Sequence, residues 1–292
     1  MFPIGEMAAI QQQPENYRLL RRVPWTEAGI RLPITASEPR GEEQSFVCLD
    51  VETTGVDAKA DKIIELGLVK GRMDSQGQIT SIQSLSSMYE DPGVPIPKII
   101  TDITGITDEM VRGQYIDPVS VISWFDDDPI VIAHNAKFDR EFFEARFSGL
   151  DRLRWACSIT DIPWRRLGFE STKLEYLLLK LGYFYEGHRA SIDALATAFL
   201  INSVPEAAGA LLEGEGSFTV KIEAIGCPFD CKDSLKGRGY RWNPDDKLWH
   251  TQINEVDLPE ELAMLSQLYP SGGDRARKTV LSSRDRYKAE AQ

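Results

Sequence analysis

Residues 46–57 read FVCLDVETTGVD, and this stretch decides the fold. Phe46, Val47, Cys48 and Leu49 form an apolar run that suits a buried strand. The run ends in two carboxylates, Asp50 and Glu52, one residue apart. Side chains two apart on a strand point to the same face. The two acids are therefore expected side by side, roughly 7 Å apart along the strand. Like charges held that close repel unless a cation lies between them. Thr53-Thr54-Gly55 then turns the chain out of the strand. Two readings are open: a strand running into a solvated polar loop, or a divalent-metal site at the carboxyl edge of a sheet.

Working outward, "KIIELGLVKG" from Lys62 and "ITSIQSLSSMYE" from Ile79 read as further strands, joined by a turn at 74–77. Their spacing favours antiparallel pairing. "ITDEMVRGQ" suits a short helix. "PIVIAHN" from Pro129 is a buried strand, and "AKFDREFFEARF" is the helix after it. "STKLEYLLLKLG" places Leu174, Leu177, Leu178 and Leu181 on one helical face. "ASIDALATAFLINS" is the last helix of this unit. Hairpin strands succeeded by strand–helix units imply an α/β fold with a mixed sheet flanked by helices.

The chain divides into five stretches. Residues 1–44 are an N-terminal extension with one helical piece, "ENYRLLRR". Residues 45–204 are the main domain. Residues 205–216, "PEAAGALLEGEG", suit a linker that leaves the C-terminal part separable. Residues 217–270 form a small α+β module, in which "YRWNPDDKLWHTQI" is a hairpin. Residues 271–292 are a polar tail, expected to be disordered. Within the module, Tyr240, Trp242 and Trp249 suit either its own core or a base-stacking surface, with Lys232, Lys236, Arg238 and Arg241 near.

The 292 residues carry 33 Lys plus Arg and 45 Asp plus Glu, a net charge of −12. Bulk counterion release onto a basic surface is therefore excluded as the way to hold nucleic acid. An enzyme that holds a phosphodiester through metal ions is not excluded. No apolar run approaches the ~20 residues of a membrane span. The first residues lack a secretion signal, and four cysteines make no disulfide framework, so the cytoplasm is the expected compartment.

Two later stretches join the opening one. In "VIAHNAKFDREF", Asp139 falls in the first turn of a helix. In "EGHRASIDALA", His188 precedes a helix with Asp193 near its start. Residues five apart on a helix are turned by about 140°, so His188 must lie in the preceding loop to share a site with Asp193. Asp50, Glu52, Asp139 and Asp193 are hard oxygen ligands, suited to Mg²⁺ or Mn²⁺. Two such ions can clamp the attacking and leaving oxygens of a phosphoryl centre. His188 can take the proton from the attacking water. His134 is expected to be structural. Cys227, Cys231 and His250 lack a fourth ligand for zinc.

"DVETTG", "HNAKFD" and "HRASID" resemble, in order and spacing, the three motifs of the DEDDh 3′→5′ exonucleases. That family includes the proofreading (epsilon) subunit of bacterial DNA polymerase III. "DKIIELGLV", "ITGITDEMV" and "KLEYLLLKLG" resemble it too, so the likeness runs from about Phe46 to Ser203. It implies a ribonuclease-H-like fold and release of 5′-mononucleotides from 3′ ends by two-metal-ion hydrolysis. By this resemblance Asp50, Glu52 and Asp193 hold one ion, and Asp50 and Asp139 the other. His188 is then the general base, Thr53 lines the terminal nucleotide, and Asn135 is a structural or nucleotide-contacting member of the second motif. The implied partners are 3′-ended or single-stranded nucleic acid and a polymerase or repair protein. DNA is the expected substrate; an exoribonuclease, or a silent nucleic-acid-binding protein on this fold, are the alternatives. "KDSLKGRGYRW" resembles a short module found behind some bacterial exonucleases of this type.

Overall fold

The computed structural model describes residues 4–24 and 31–288. Parts of the expected extension (1–3, 25–30) and tail (289–292) lie outside the described residues. In chain order, α1 (Met7–Gln12), β1 (Arg21–Arg22) and β2 (Ile34–Thr35) precede β3 (Glu43–Thr53), β4 (Ile63–Asp74) and β5 (Ile79–Tyr89). Helices α2 (Lys98–Thr104), α3 (Asp108–Val111) and α4 (Pro118–Ile122) lead to β6 (Ile130–Ala133), α5 (Ala136–Arg146) and β7 (Arg154–Cys157). Then come α6 (Leu174–Lys180), β8 (Tyr183–Phe184), α7 (Ala190–Ser203) and α8 (Pro205–Gly216). The chain continues through β9 (Thr219–Ala224), α9 (Lys232–Gly237), β10 (Arg241–Asn243) and β11 (Leu248–Asn254). It closes with α10 (Leu258–Leu268), α11 (Gly272–Arg275) and β12 (Arg277–Leu281).

The main sheet has six strands in the order β2-β5-β4-β3-β6-β7. β2 through β3 pair antiparallel, whereas β6 and β7 join β3 in parallel. This is the mixed sheet that the hairpins and strand–helix units imply, and it agrees with the ribonuclease-H-like fold that the family resemblance implies. The alternation of β3 explains its two faces. Phe46 and Cys48 pack under α6, α7 and α8. Val47, Leu49 and Val51 pack against the face covered by α4 and α5. Asp50 and Glu52 continue the Phe46–Cys48 row, so they emerge on the α7 side. Helix α7 is buried almost all round, as expected of a helix wedged between the sheet and further helices. Among the described residues no single helix is long and apolar enough to cross a membrane.

Three stretches differ from their sequence reading. "ENYRLLRR" forms one short turn at Pro14–Asn16, then runs extended so that Arg21–Arg22 pairs in parallel with β8. An isolated helix that short is marginal, and the edge of β8 offers ladder hydrogen bonds instead. The expected linker is helix α8. Pro205 starts it, where a missing N–H costs nothing, and Ala207, Ala208 and Leu211 bury in the main core. The expected disordered tail supplies β12, which pairs antiparallel with β9, Val280 opposite Val220. β12 completes the module sheet, β10-β11-β9-β12. Trp155 and Trp164 are core residues.

Candidate active site

β3 carries two of the acids, and a register shift between Glu52 and Thr53 ends its regular pairing with β4. Asp193 stands in the first turn of α7. One carboxylate oxygen each of Asp50, Glu52 and Asp193 lies within 4.8 Å of the others. Asp139, in the first turn of α5, is buried and accepts a hydrogen bond from the Val51 amide at 3.1 Å. That bond ties the start of α5 to β3, between the two strand acids. The sheet, α5 and α7 thus bring Asp50, Glu52, Asp139 and Asp193 to one place.

Asp193 is held from two sides: the Tyr185 hydroxyl donates to Oδ1 and the Arg189 amide to Oδ2, each at 3.0 Å. Among the described residues no donor hydrogen-bonds the carboxylate of Asp50 or Glu52. Burial, then the charges of Asp139, Asp193, Glu52 and Glu65, push the Asp50 carboxyl well above its usual range. Burial and Asp193 raise Glu52 to about 8, with Arg189 opposing. Burial raises Asp139, against the hydrogen bond from Val51. Burial also raises Asp193, against the Arg189 amide, the Tyr185 hydroxyl and the nearby His188 ring. The chain thus gathers four acids and offsets their charge only in part, through Arg189, His188 and the hydrogen bonds to Asp139 and Asp193. An all-oxygen donor set left with excess negative charge fits a divalent cation.

This electrostatics predicts an opposite pH response with and without metal. Without metal, raised carboxyl pKa values favour the protonated folded form. Stability is then greatest below the unfolded value near 4.5 for Glu52 and declines as pH rises through about 8. A cation binds the deprotonated form, so its stabilisation grows over the same window. The melting temperature in EDTA should fall from pH 5 to 8, and the gain from millimolar Mn²⁺ should rise. A Mn²⁺ gain equally large in an Asp50→Ala/Asp193→Ala variant would count against the site.

His188 lies exposed in the loop before α7, at φ 65°. Asn135 caps α5 at φ 96° and is also exposed. Left-handed backbone at non-glycine residues concentrates where surrounding structure imposes it. Thr53 is buried, its hydroxyl donating to the Gly55 carbonyl at 2.5 Å. His134 is structural as expected. Its ring nitrogens meet the Ser158 hydroxyl at 2.7 Å and the Thr172 carbonyl at 2.8 Å. Burial lowers its pKa to about 4.

Sequence reasoning missed the support beneath Asp193. Glu65 of β4 is fully buried and lies opposite Glu52. It accepts from Arg189 Nε at 3.1 Å and Nη2 at 3.2 Å, from the Ala190 amide at 3.1 Å and from the Ser87 hydroxyl at 2.7 Å. Arg189 also bonds the Tyr89 hydroxyl. Glu65 therefore fastens the first turn of α7 to the sheet. Gly67, next on the same face, has α7 directly over it: an added Cβ would lie 2.1 Å from the Ala190 carbonyl carbon. The signal was present in "IIELGLV", an apolar strand interrupted on one face by Glu65 and Gly67.

Converging acids at the carboxyl edge of a ribonuclease-H-like sheet define a nuclease class. Comparison with known proteins agrees. Residues 47–201, more than half of the chain, match the RNase T exonuclease family model. A PolC-type DNA polymerase III of Listeria innocua serovar 6a is 38% identical over 169 residues, covering 54% of this chain and 11% of the relative. The DNA polymerase III subunit epsilon of Treponema pallidum is 32% identical over 162 residues, covering 52% of this chain and 73% of the relative. A zinc-bound E. coli ExoI–ssDNA complex shares the fold, with TM-score 0.50 and 17% identity over 84% of this chain and 64% of that one. The chain belongs to the exonuclease family. It covers about a tenth of the length of the PolC-type relatives it matches.

Proposed function

We propose that this chain is a divalent-metal-dependent 3′→5′ exonuclease that releases 5′-mononucleotides, with DNA as its substrate. The observation that carries this is the meeting of Asp50, Glu52 and Asp193 within 4.8 Å, with Asp139 tied to the strand between the first two. Asp50, Glu52 and Asp193 would hold one Mg²⁺ or Mn²⁺ ion, and Asp50 with Asp139 a second. Bound there, the ions supply charge to the phosphoryl oxygens and make water a better nucleophile. His188, from its exposed loop beside Asp193, takes the proton of the attacking water. Thr53 and Asn135 flank the acids and line the terminal nucleotide. Tyr185 and Arg189 keep Asp193 facing the site. The polymerase III names of the relatives support DNA as substrate and a polymerase or repair protein as partner. Four free thiols support the cytoplasm as compartment.

The test is purified protein on end-labelled single- and double-stranded DNA and RNA with Mg²⁺ or Mn²⁺. Mononucleotides should appear from 3′ ends, and EDTA should abolish them. Cleavage of a closed circle, or activity that survives EDTA, would refute the reading. Faster loss of RNA than of DNA would move the substrate to RNA.

The module is proposed to grip the strand leading to the site. Tyr240 and Trp249 belong to its core, but Trp242 is 49% exposed and Phe229 74% exposed. The Lys232 ammonium sits 4.2 Å above the Phe229 ring, and Lys236 lies 5.9 Å from the ring centre of Trp249. Trp242 meets Trp249 edge-on at 5.5 Å. Open rings beside cations suit stacked bases and their phosphates. Trp242→Ala should weaken binding of long single strands about tenfold, a base stack being worth roughly 1–3 kcal/mol. Hydrolysis of a thymidine 5′-monophosphate nitrophenyl ester should not change. Equal KM for long strands in both proteins would leave Trp242 without this role.

A further inference from the structure

Arg140 succeeds Asp139 on α5 and is 0% exposed. A guanidinium has five N–H donors, and burying it is costly unless they are met. Nε donates to Glu144 Oε1 at 2.6 Å, and Nη2 to the Asp151 carbonyl at 3.1 Å. The other acceptors come from far along the chain. Nη2 donates to the Arg284 carbonyl at 2.7 Å, and Nη1 to the Arg286 carbonyl at 2.6 Å. The same segment extends the edge of the main sheet, where the Trp155 amide donates to the Ser283 carbonyl at 2.9 Å. Arg284 forks onto Asp128 at 2.7 and 3.1 Å. Arg286 Nη2 donates to the Gly214 carbonyl of α8 at 2.5 Å, and the Tyr287 hydroxyl reaches Asp161. The segment is therefore anchored on α5, β7 and α8 at once.

We propose that the segment Ser282–Tyr287 is a positioning element of the active site, acting through Arg140. By supplying two of the four acceptors that Arg140 meets, it fixes the first turn of α5, and so keeps Asp139 against the Val51 amide. Arg140 is itself a positioning residue, since its guanidinium is spent on Glu144 and three backbone carbonyls. β12, the last strand of the module sheet, leads directly into this segment. The module is thereby joined to the exonuclease domain at both ends, through α8 and through this return. It is not a separable appendage, as its linker-like approach suggests. The role of Asp139 rests on the metal-site reading above; the contacts of Arg140 do not.

A double-mutant cycle tests this: the full chain, a chain ending at Leu281, Arg140→Met, and the two changes together. The readouts are hydrogen exchange of the α5 amides, Mn²⁺ affinity by titration calorimetry, and turnover. Truncation should speed exchange in α5 and weaken Mn²⁺ binding and turnover about 10–100-fold, the usual effect of losing a support behind a metal ligand. A peptide of residues 282–292, added in trans, should restore them. In the Arg140→Met background no buried charge is left without acceptors, so truncation should cost under about threefold. Arg284→Glu places a like charge against Asp128 and runs the same cycle in a chain of full length. Equal losses with and without Arg140→Met, or unchanged α5 exchange after truncation, would overturn the proposal. An intact chain that binds no Mn²⁺, while α5 exchange still tracks the cycle, would instead refute the metal site and leave the anchoring of α5 by this segment standing.

Discussion

Asp50→Ala and Asp193→Ala should each lower turnover at least ~10³-fold if, as proposed, each positions charge at the reacting phosphoryl centre. The two are not expected to act alike on the fold. Asp50 accepts no hydrogen bond from the described residues, and its carboxyl is raised by burial and by three neighbouring acids of the site. Removing it relieves repulsion, so Asp50→Ala should melt higher than the wild type in EDTA. Asp193 accepts from the Tyr185 hydroxyl and the Arg189 amide. Its removal leaves both donors without their acceptor, so Asp193→Ala should gain less. Unfilled buried donors cost about 1–3 kcal/mol. Steady-state kinetics with melting curves in EDTA measure both effects. A variant that loses activity by unfolding would show a lower melting temperature, and an Asp50→Ala enzyme with near-normal turnover would remove the strand acids from the mechanism.

His188→Ala separates a catalyst from a binder. As general base, His188 should be worth roughly 10²–10⁴ in turnover. It lies exposed in the loop before α7, so its loss should leave stability within about 0.5 kcal/mol. Ca²⁺ fills oxygen sites, so strand affinity in Ca²⁺ should hardly move if the role is proton transfer. A loss of affinity in Ca²⁺ as large as the loss of turnover would make His188 a substrate contact instead. Near-normal turnover would leave "HRASID" as a placement motif for Asp193 alone.

The acids were legible because a strand advertises its faces. In "FVCLDVE" the alternation that buries Phe46 and Cys48 under α7 puts Asp50 and Glu52 in the same row, where burial without a cation is unfavourable. Asp139 and Asp193 were legible for a related reason: each stands in the first turn of a helix that comes after a strand or loop reaching the same sheet edge. The mixed sheet was legible in the hairpin spacing. These are local patterns, with a period of 2 or 3.6 residues that can be read within a dozen positions.

Tertiary structure decided what has no such period. Helix α8 looks like a linker because Ala and Gly are small, yet Ala207, Ala208 and Leu211 have a core to enter only once β7 and α7 are in place. The tail reads as polar because its side chains are polar, but its backbone carbonyls make the bonds to Arg140 and Trp155. Backbone acceptors are the same in every sequence, so no residue type announces them. Arg140 in "KFDREF" looks like a surface charge for the same reason: its acceptors Arg284 and Arg286 lie 144 and 146 residues away. Glu65 stands between these cases. Its intrusion into "IIELGLV" was visible, but that it fastens Arg189 and Ala190, 124 and 125 residues on, required the helix to be laid across the sheet. Sequence by itself determined which chemical groups the sheet edge carries, and packing between distant segments decided what holds them there.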